Sequence, residues 1–250
     1  MRLNFSDGYY EGSVINGKMH GHGVFYWSDG DKYDGEWRDD EMNGKGVFTW
    51  SDGSVYDGEF INGKMQGHGV YLSEGDKYDG EWVDGEMTGK GKFTWADGTY
   101  YEGDMLSGEL HGKGVCYHTD GSRYDGNWQY GEMHGIGTYY YANGGKYIGE
   151  FLSNLRHGKG LYYFPTGEKY EGEWVDDVMQ GKGYMTYPDG SKYLGDFFDD
   201  KIQGKGVQWL PNGDRYEGEF KDNKMHGQGV YYFKDGTSFT ATWRNGEVVD

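Results

Sequence analysis

The sequence predicts an all-β protein, an elongated single-layer antiparallel sheet or solenoid of stacked β-hairpins, and three observations carry that expectation. The chain has 250 residues, of which 48 are glycine. Each glycine in a helix interior costs about 1 kcal/mol relative to alanine, so helix is the least favoured state almost everywhere. The tyrosine of a Tyr-x-Gly triplet returns at Tyr10, Tyr33, Tyr56, Tyr78, Tyr101, Tyr124, Tyr147, Tyr170, Tyr193 and Tyr216, with Phe239 in the same slot. The step is 23 residues each time, except 22 between Tyr56 and Tyr78. Asp-Gly and Asn-Gly pairs separate the apolar runs, and such pairs accept the positive φ of hairpin turns. A catalytic motif needs to occur once, so a fixed period speaks first of construction.

Taken in order, Leu3 to Phe5 reads as a strand fragment that closes the first end. The repeat itself is clearest in KYDGEWRDDEMNGKG (32–46), which returns nearly unchanged at 77–91 and 169–183. Alternation along a strand puts Tyr33, Gly35 and Trp37 on one face and Asp34 with Glu36 on the other. Gly35 is expected to leave space between two rings. A loop over Asp39 to Asn43 then leads into a second strand, where Gly44, Gly46, Phe48 and Trp50 share a parity, and Ser51-Asp52-Gly53 turns the chain back. Pro165, Pro188 and Pro211 keep the same beat, each before a Thr-Gly, Asp-Gly or Asn-Gly turn. About ten complete units and a degenerate C-terminal one, FTATW (239–243) with Ala241 in a glycine slot, fill residues 1–250 as one continuous array. Two strands per repeat advance about 10 Å, which predicts a ribbon on the order of 100 Å long. The one-residue deletion in VYLSEG (70–75) predicts a local change of pitch. An open edge strand at each end would let the chain pair with a second copy as a homodimer.

Composition fits this reading. The apolar mass comes from 25 Tyr and 9 Trp, which bring large buried area with a polar tip. The net charge of −18 sets the surface against phosphate backbones, so no nucleic-acid partner is expected. It also disfavours direct lipid binding, which needs clustered Lys and Arg. Cys116 is the sole cysteine, so no internal disulfide can form. The N-terminal MRLNFSDGYY has no apolar signal-peptide core, and no run approaches a membrane span, which leads to the expectation of a cytoplasmic protein.

Tyr-x-Gly-x-Trp/Phe, then Gly, then Gly-x-Gly, at a 23-residue period over essentially the whole chain, resembles the MORN (membrane occupation and recognition nexus) repeat family. The resemblance implies an elongated, twisted or curved all-β scaffold found beside membranes or in cytoskeletal, ciliary or junctional assemblies. Protein binding and self-association are the uses it implies first, and phosphoinositide binding the alternative. It implies no cofactor and no enzymatic activity in the repeats themselves.

The repeats define their own exceptions and candidate sites. Tyr33, Gly35, Trp37, Gly44, Gly46, Tyr56, Tyr78, Trp82, Tyr101, Tyr124, Trp128, Tyr170, Trp174, Tyr193 and Tyr216 are expected to be structural core. The second-strand aromatics Trp27, Trp50, Trp95, Tyr141, Phe164 and Tyr187 are less tied to the signature and are candidates for partner contact. Around them, Tyr139, Tyr140, Tyr141, Ile148, Leu152, Leu155, Leu161, Tyr162, Tyr163 and Phe164 concentrate apolar residues where other repeats carry charge, as a patch for a partner would. Ile148 and Leu194 fill a slot that is usually acidic, and Arg156 stands among methionines. His111, His134 and His157 fall in consecutive repeats, about 10 Å apart, whereas two imidazoles on one zinc must each come within about 2.1 Å of it. No metal site is expected from that column. Cys116 and His118 are the one pair close enough to weigh, and they read instead as a surface thiol and a surface imidazole. The Glu36 and Glu59 carboxylates recur without a pocket, which points to salt bridges or capping rather than catalysis. The reading that results is a non-catalytic scaffold whose aromatic groove takes a basic or amphipathic helix, or a peptide, or a second copy. The alternative is a peripheral membrane protein that binds phosphoinositides.

Overall fold

The computed structural model describes residues 1–249 and shows 23 strands among them and no helix. The chain forms two compact units, one of Met1–Thr119 with Trp128–Gly131, the other of Asp120–Asn127 with Glu132–Asp250. Within each, consecutive strands pair antiparallel in chain order, as a meander of hairpins.

One repeat explains the rest. In the strand Lys32–Arg38, Tyr33, Gly35 and Trp37 are buried on what we call the ring face. Gly35 pairs with Gly46 across the hairpin, and Gly46 with Gly58 on the next strand. The glycines make room for the tyrosine of their own repeat: a Cβ on Gly46 would lie 2.5 Å from Tyr33 Cζ, and one on Gly35 only 2.6 Å from the same atom. Gly35 therefore lies beneath one ring and does not separate two. The tyrosine hydroxyl donates to Glu36 O at 3.0 Å, so the buried phenol is satisfied at its tip. All ten tyrosines of the slot are fully buried. A single sheet can achieve this because most of these rings are flanked edge-on by two others. Tyr33 meets Trp37 at 5.2 Å and Phe60 at 5.0 Å, and Tyr56 meets Phe60 at 5.1 Å and Trp82 at 5.0 Å. At Trp37, Trp82, Trp128 and Trp174 the Nε1 donates back to the preceding repeat, as Trp37 does to Gly23 O at 3.0 Å, whereas the Nε1 of Trp243 in the last unit is buried without a partner.

The expected loop over Asp39 to Asn43 is instead a two-residue turn. Asp39 and Asp40 have φ of 51° and 78°, which suits a tight hairpin, and Glu41–Thr49 is already strand. The sequence hides this because a bulge follows: the register slips between Gly35 and Trp37, and Gly44 takes φ of 90°. At the opposite rim, Trp50 N donates to Ser54 O and Gly53 N to Trp50 O, while Asp52 Oδ1 accepts Ser54 N at 2.9 Å. Pro165 occupies the second position of the corresponding turn, where its fixed φ fits. The deletion near residue 74 is absorbed there. Glu74 and Gly75 form a tight turn, Ser73 pairs with Asp76, and the Gly69–Gly80 pairing is unchanged. The pairing register thus carries no trace of the predicted change of pitch.

Candidate functional site

Beyond its buried core, the ring face carries a second row of aromatics, half-buried, contributed by the strands that follow each Gly-x-Gly. In the first unit the row leans on the buried Phe25, 4.4 Å from Trp27, and runs on through Trp27–Phe48 at 5.3 Å, Phe48–Trp50 at 4.7 Å and Trp50–Tyr71 at 5.6 Å. Phe93–Trp95 resumes it at 4.9 Å. In the second unit Tyr139, Tyr141, Tyr162 and Phe164 make the equivalent chain, with Tyr187 further along in the same slot. Burial pushes the Tyr141 phenol up to about 12, against the pull of Arg156. Both rims of this face in the first unit are acidic, with Asp29, Asp52 and Asp97 in one set of turns and Asp39 and Asp84 in the other.

Arg156, alone among the methionines, lies on the ring face with Phe151. Its guanidinium stacks over Trp174 at 4.2 Å, and Nε donates to Asp177 Oδ1 at 2.8 Å. The charge is thus paired and stacked where a methionine would pack.

The apolar concentration at 139–164 is not one patch. Tyr139, Tyr141, Tyr162 and Phe164 stand on the ring face, whereas Tyr140, Ile148, Leu152, Leu155, Leu161 and Tyr163 stand on the opposite face. Leu152 pairs with Leu155 beside the turn, and Ile148 pairs with Leu161. Cys116 is also placed differently from the sequence reading. It is 3% exposed on the ring face, opposite Tyr101, and burial pushes its thiol up to about 11. A protonated, covered thiol is a poor nucleophile and a poor metal ligand.

The acidic slot has a structural task. Asp104 Oδ2 accepts Lys113 N at 2.8 Å, and Glu150 Oε1 accepts Lys159 N at 2.9 Å, so each carboxylate caps backbone exposed by the bulge at the first glycine of Gly-x-Gly. That glycine holds a positive φ, 90° at Gly44 and 59° at Gly158, which disfavours any side chain, and a Cβ there would also press on the carboxylate. Lys90 and Lys182 add ion pairs to Asp104 and Asp196 across neighbouring strands. Both carboxyls sit below the usual range: burial alone would raise them, and the lysine and the backbone N–H outweigh it. The histidines of the repeated slot lie one per repeat, His157 with its Nδ1 3.3 Å from Asp176. Among the described residues, no three of His, Cys, Asp and Glu converge as a metal site would require.

Two features escaped the sequence reading. Phe25, Tyr71 and Phe93 join Phe48 in the ring row, and the parity already read for Phe48 with Trp50 could have revealed them. The residue before each Tyr-x-Gly is usually Lys or Arg, and on the opposite face these cations alternate with Tyr140, Tyr163, Trp209 and Tyr232 from neighbouring strands.

The family model of the MORN repeat matches residues 10–32, 33–55, 56–76, 78–100, 101–123, 124–146, 147–169, 170–192, 193–215 and 216–238. No curated protein matches. Among solved structures, the chain is similar to the SAS-4 (dCPAP) TCP domain of Drosophila melanogaster in complex with a proline-rich motif of Ana2 (dSTIL). There the identity is 13%, the coverage is 62% of this chain and 84% of that one, and the TM-score is 0.42. It is also similar to the TCP10 domain of Danio rerio CPAP in complex with a peptide of STIL, at 10% identity, 92% and 97% coverage and a TM-score of 0.47. Both scores are too low to carry an inference.

Proposed function

The chain belongs to the MORN-repeat family, and from that premise we propose that it is a non-catalytic scaffold whose ring face receives a helix or an extended peptide of a partner protein. The observation that supports this most is the half-buried row running from Trp27 through Phe48 and Trp50 to Tyr71. The tyrosines beneath it already complete the fold, so these indoles and phenyls have apolar area left to give to an interface, where aromatic side chains supply much of the affinity. The acidic turns at both rims favour a basic partner through charge complementarity. Such a scaffold suits a cytoskeletal, ciliary or membrane-cortex assembly.

Affinity capture with the wild type and with a Trp27→Ala/Trp50→Ala variant tests it. The expected outcome is loss of at least one saturable partner while the melting temperature changes little. Equal recovery of every partner by the two proteins would remove the ring face from the account.

A further inference from the structure

The opposite face of the second unit departs from the repeat pattern in a way that the core does not require. Five of the ten repeats carry a lysine or arginine, then tyrosine, then an acid that can pair with the cation two residues before it. Lys32 meets Asp34 at 3.2 Å, Lys77 meets Asp79 at 3.0 Å and Arg215 meets Glu217 at 3.6 Å. At Lys146 and Lys192 that acid is replaced by Ile148 and Leu194, and neither lysine forms an ion pair among the described residues. Ile148 is 36% exposed and Leu194 49%.

These substitutions fall into line across the sheet. Lys146, Tyr163, Lys169, Thr186, Lys192 and Trp209 face one another on successive strands as one row. Two residues along each strand lies a second row, Ile148, Leu161, Glu171, Tyr184, Leu194 and Val207. In a protein of net charge −18, this block offers a row of lysines bordered by a mostly apolar row.

We propose that this face docks an acidic amphipathic helix of a partner protein, at a surface separate from the ring face. Lysines on alternate strands are about 9.6 Å apart, close to the rise of about 10.5 Å per heptad of an α-helix. Carboxylates two heptads apart would therefore meet the unpaired Lys146 and Lys192, with Lys169, already 3.9 Å from Glu171, between them. The apolar row lies about 6.6 Å to the side, within the breadth of the same helix, so its leucines would cover Ile148, Leu161 and Leu194. An added strand has no place here, since these strands are paired on both sides. A planar anionic membrane fits less well. It would also press on the third row, where Glu150, Glu173 and Asp196 alternate with Lys159, Lys182 and Lys205 and cancel their charge; a helix over the first two rows meets only Glu171.

The test is fluorescence anisotropy with a labelled, three-heptad synthetic helix bearing Glu at every seventh position and Leu beside it. Saturable binding is expected, weakening as salt rises from about 0.05 to about 0.3 M. Ile148→Asp/Leu194→Glu restores the acids that other repeats carry and so leaves the fold intact; it should weaken binding about tenfold or more, with an unchanged melting temperature. Trp27→Ala/Trp50→Ala on the ring face should leave the affinity as it is. Absence of saturable binding overturns the proposal, as does equal affinity of the Ile148/Leu194 variant or a loss in the Trp27/Trp50 variant. Sedimentation of the wild type but not the Ile148/Leu194 variant with phosphatidylserine vesicles, without peptide binding, would assign the face to lipid instead.

Discussion

The two units build the same hairpins with different turn chemistry. In the first, the second residue of the two-residue turn is glycine at Gly17, Gly63, Gly85 and Gly108, and aspartate only at Asp40. In the second, it is Asn154, Asp177, Asp200 and Asn223, all at positive φ, and glycine only at the final turn, Gly246. The backbone N–H at this position reaches the preceding repeat either way, as Gly63 N does to Met42 O at 2.9 Å and Asp200 N to Met179 O at 3.3 Å. Only the longer residue adds a second bond: Asp200 Oδ1 accepts Met179 N at 2.8 Å, and Asn223 Oδ1 accepts Ile202 N at 2.8 Å. Glycine accepts the left-handed conformation freely but loses more chain entropy on folding, whereas Asx tolerates the same φ and ties successive repeats together. The opposite faces diverge as well, with Asp34, Asp57 and Asp79 in the slot that Ile148 and Leu194 fill in the second unit. What the units share is the tyrosine-over-glycine core, and variation collects in the turns, on the opposite face and in the ring-face slots around the tyrosines, such as those of Arg156 and Cys116.

The largest expected effect should erase the comparison. Each unit buries five tyrosines of the Tyr-x-Gly slot. Burial pushes Tyr56, Tyr78 and Tyr216 up to about 12, and it raises the others of the slot too. A raised folded pKa means the stabilisation is whole below the unfolded value near 10 and is lost as pH climbs towards the folded value. Each tyrosine then removes up to about 1.4 kcal/mol per pH unit. Alkaline titration should therefore unfold both units together between about pH 10 and 12, with phenolate absorbance and far-ultraviolet circular dichroism changing in one step. Two well-separated steps would show that the cores differ after all.

A smaller effect tests the same identity at single residues. Gly46→Ala in the first unit and Gly206→Ala in the second place a methyl 2.5 Å from Tyr33 Cζ and 2.6 Å from Tyr193 Cζ. Each should cost about 2–3 kcal/mol in urea unfolding through overpacking. A cost confined to one unit would mean that in the other unit the tyrosine can move aside.

How much of this was legible depended on which force set each feature. The alternation of Tyr33, Gly35 and Trp37 follows from strand geometry, and the Asp-Gly turns follow from φ preference, so both could be read directly. The bulge before Gly44 could not, because it is fixed by cross-strand hydrogen bonds and by the Glu36 carboxylate that occupies the space over the glycine. Cys116 was misplaced although it stands one period after Phe93, in a slot that faces the rings. Tyr163 and Phe164 were joined in one patch by their adjacency, whereas consecutive strand residues point to opposite faces. Pattern gave the slots, and pairing decided which slots meet.

The last and smallest effect sharpens the comparison by exchanging turns between units. Asp200→Gly removes the bond to Met179 N but keeps an easy conformation, and should cost about 1 kcal/mol. Asp200→Ala loses the same bond and also holds a Cβ without local hydrogen bonding at φ of 60°, so the total should reach about 2 kcal/mol. The reverse exchange, Gly63→Asn, places the side chain where a Cβ meets nothing within 4 Å. It offers Met42 N the acceptor that Asp40 gives Met19 N at 2.8 Å, and it narrows the unfolded ensemble, for a gain of about 0.5 kcal/mol. Thermal melts of the three variants should therefore rank Gly63→Asn above wild type, then Asp200→Gly, then Asp200→Ala. If Gly63→Asn instead melts below wild type, the Asx turns are compensations peculiar to the second unit and not a transferable link between repeats.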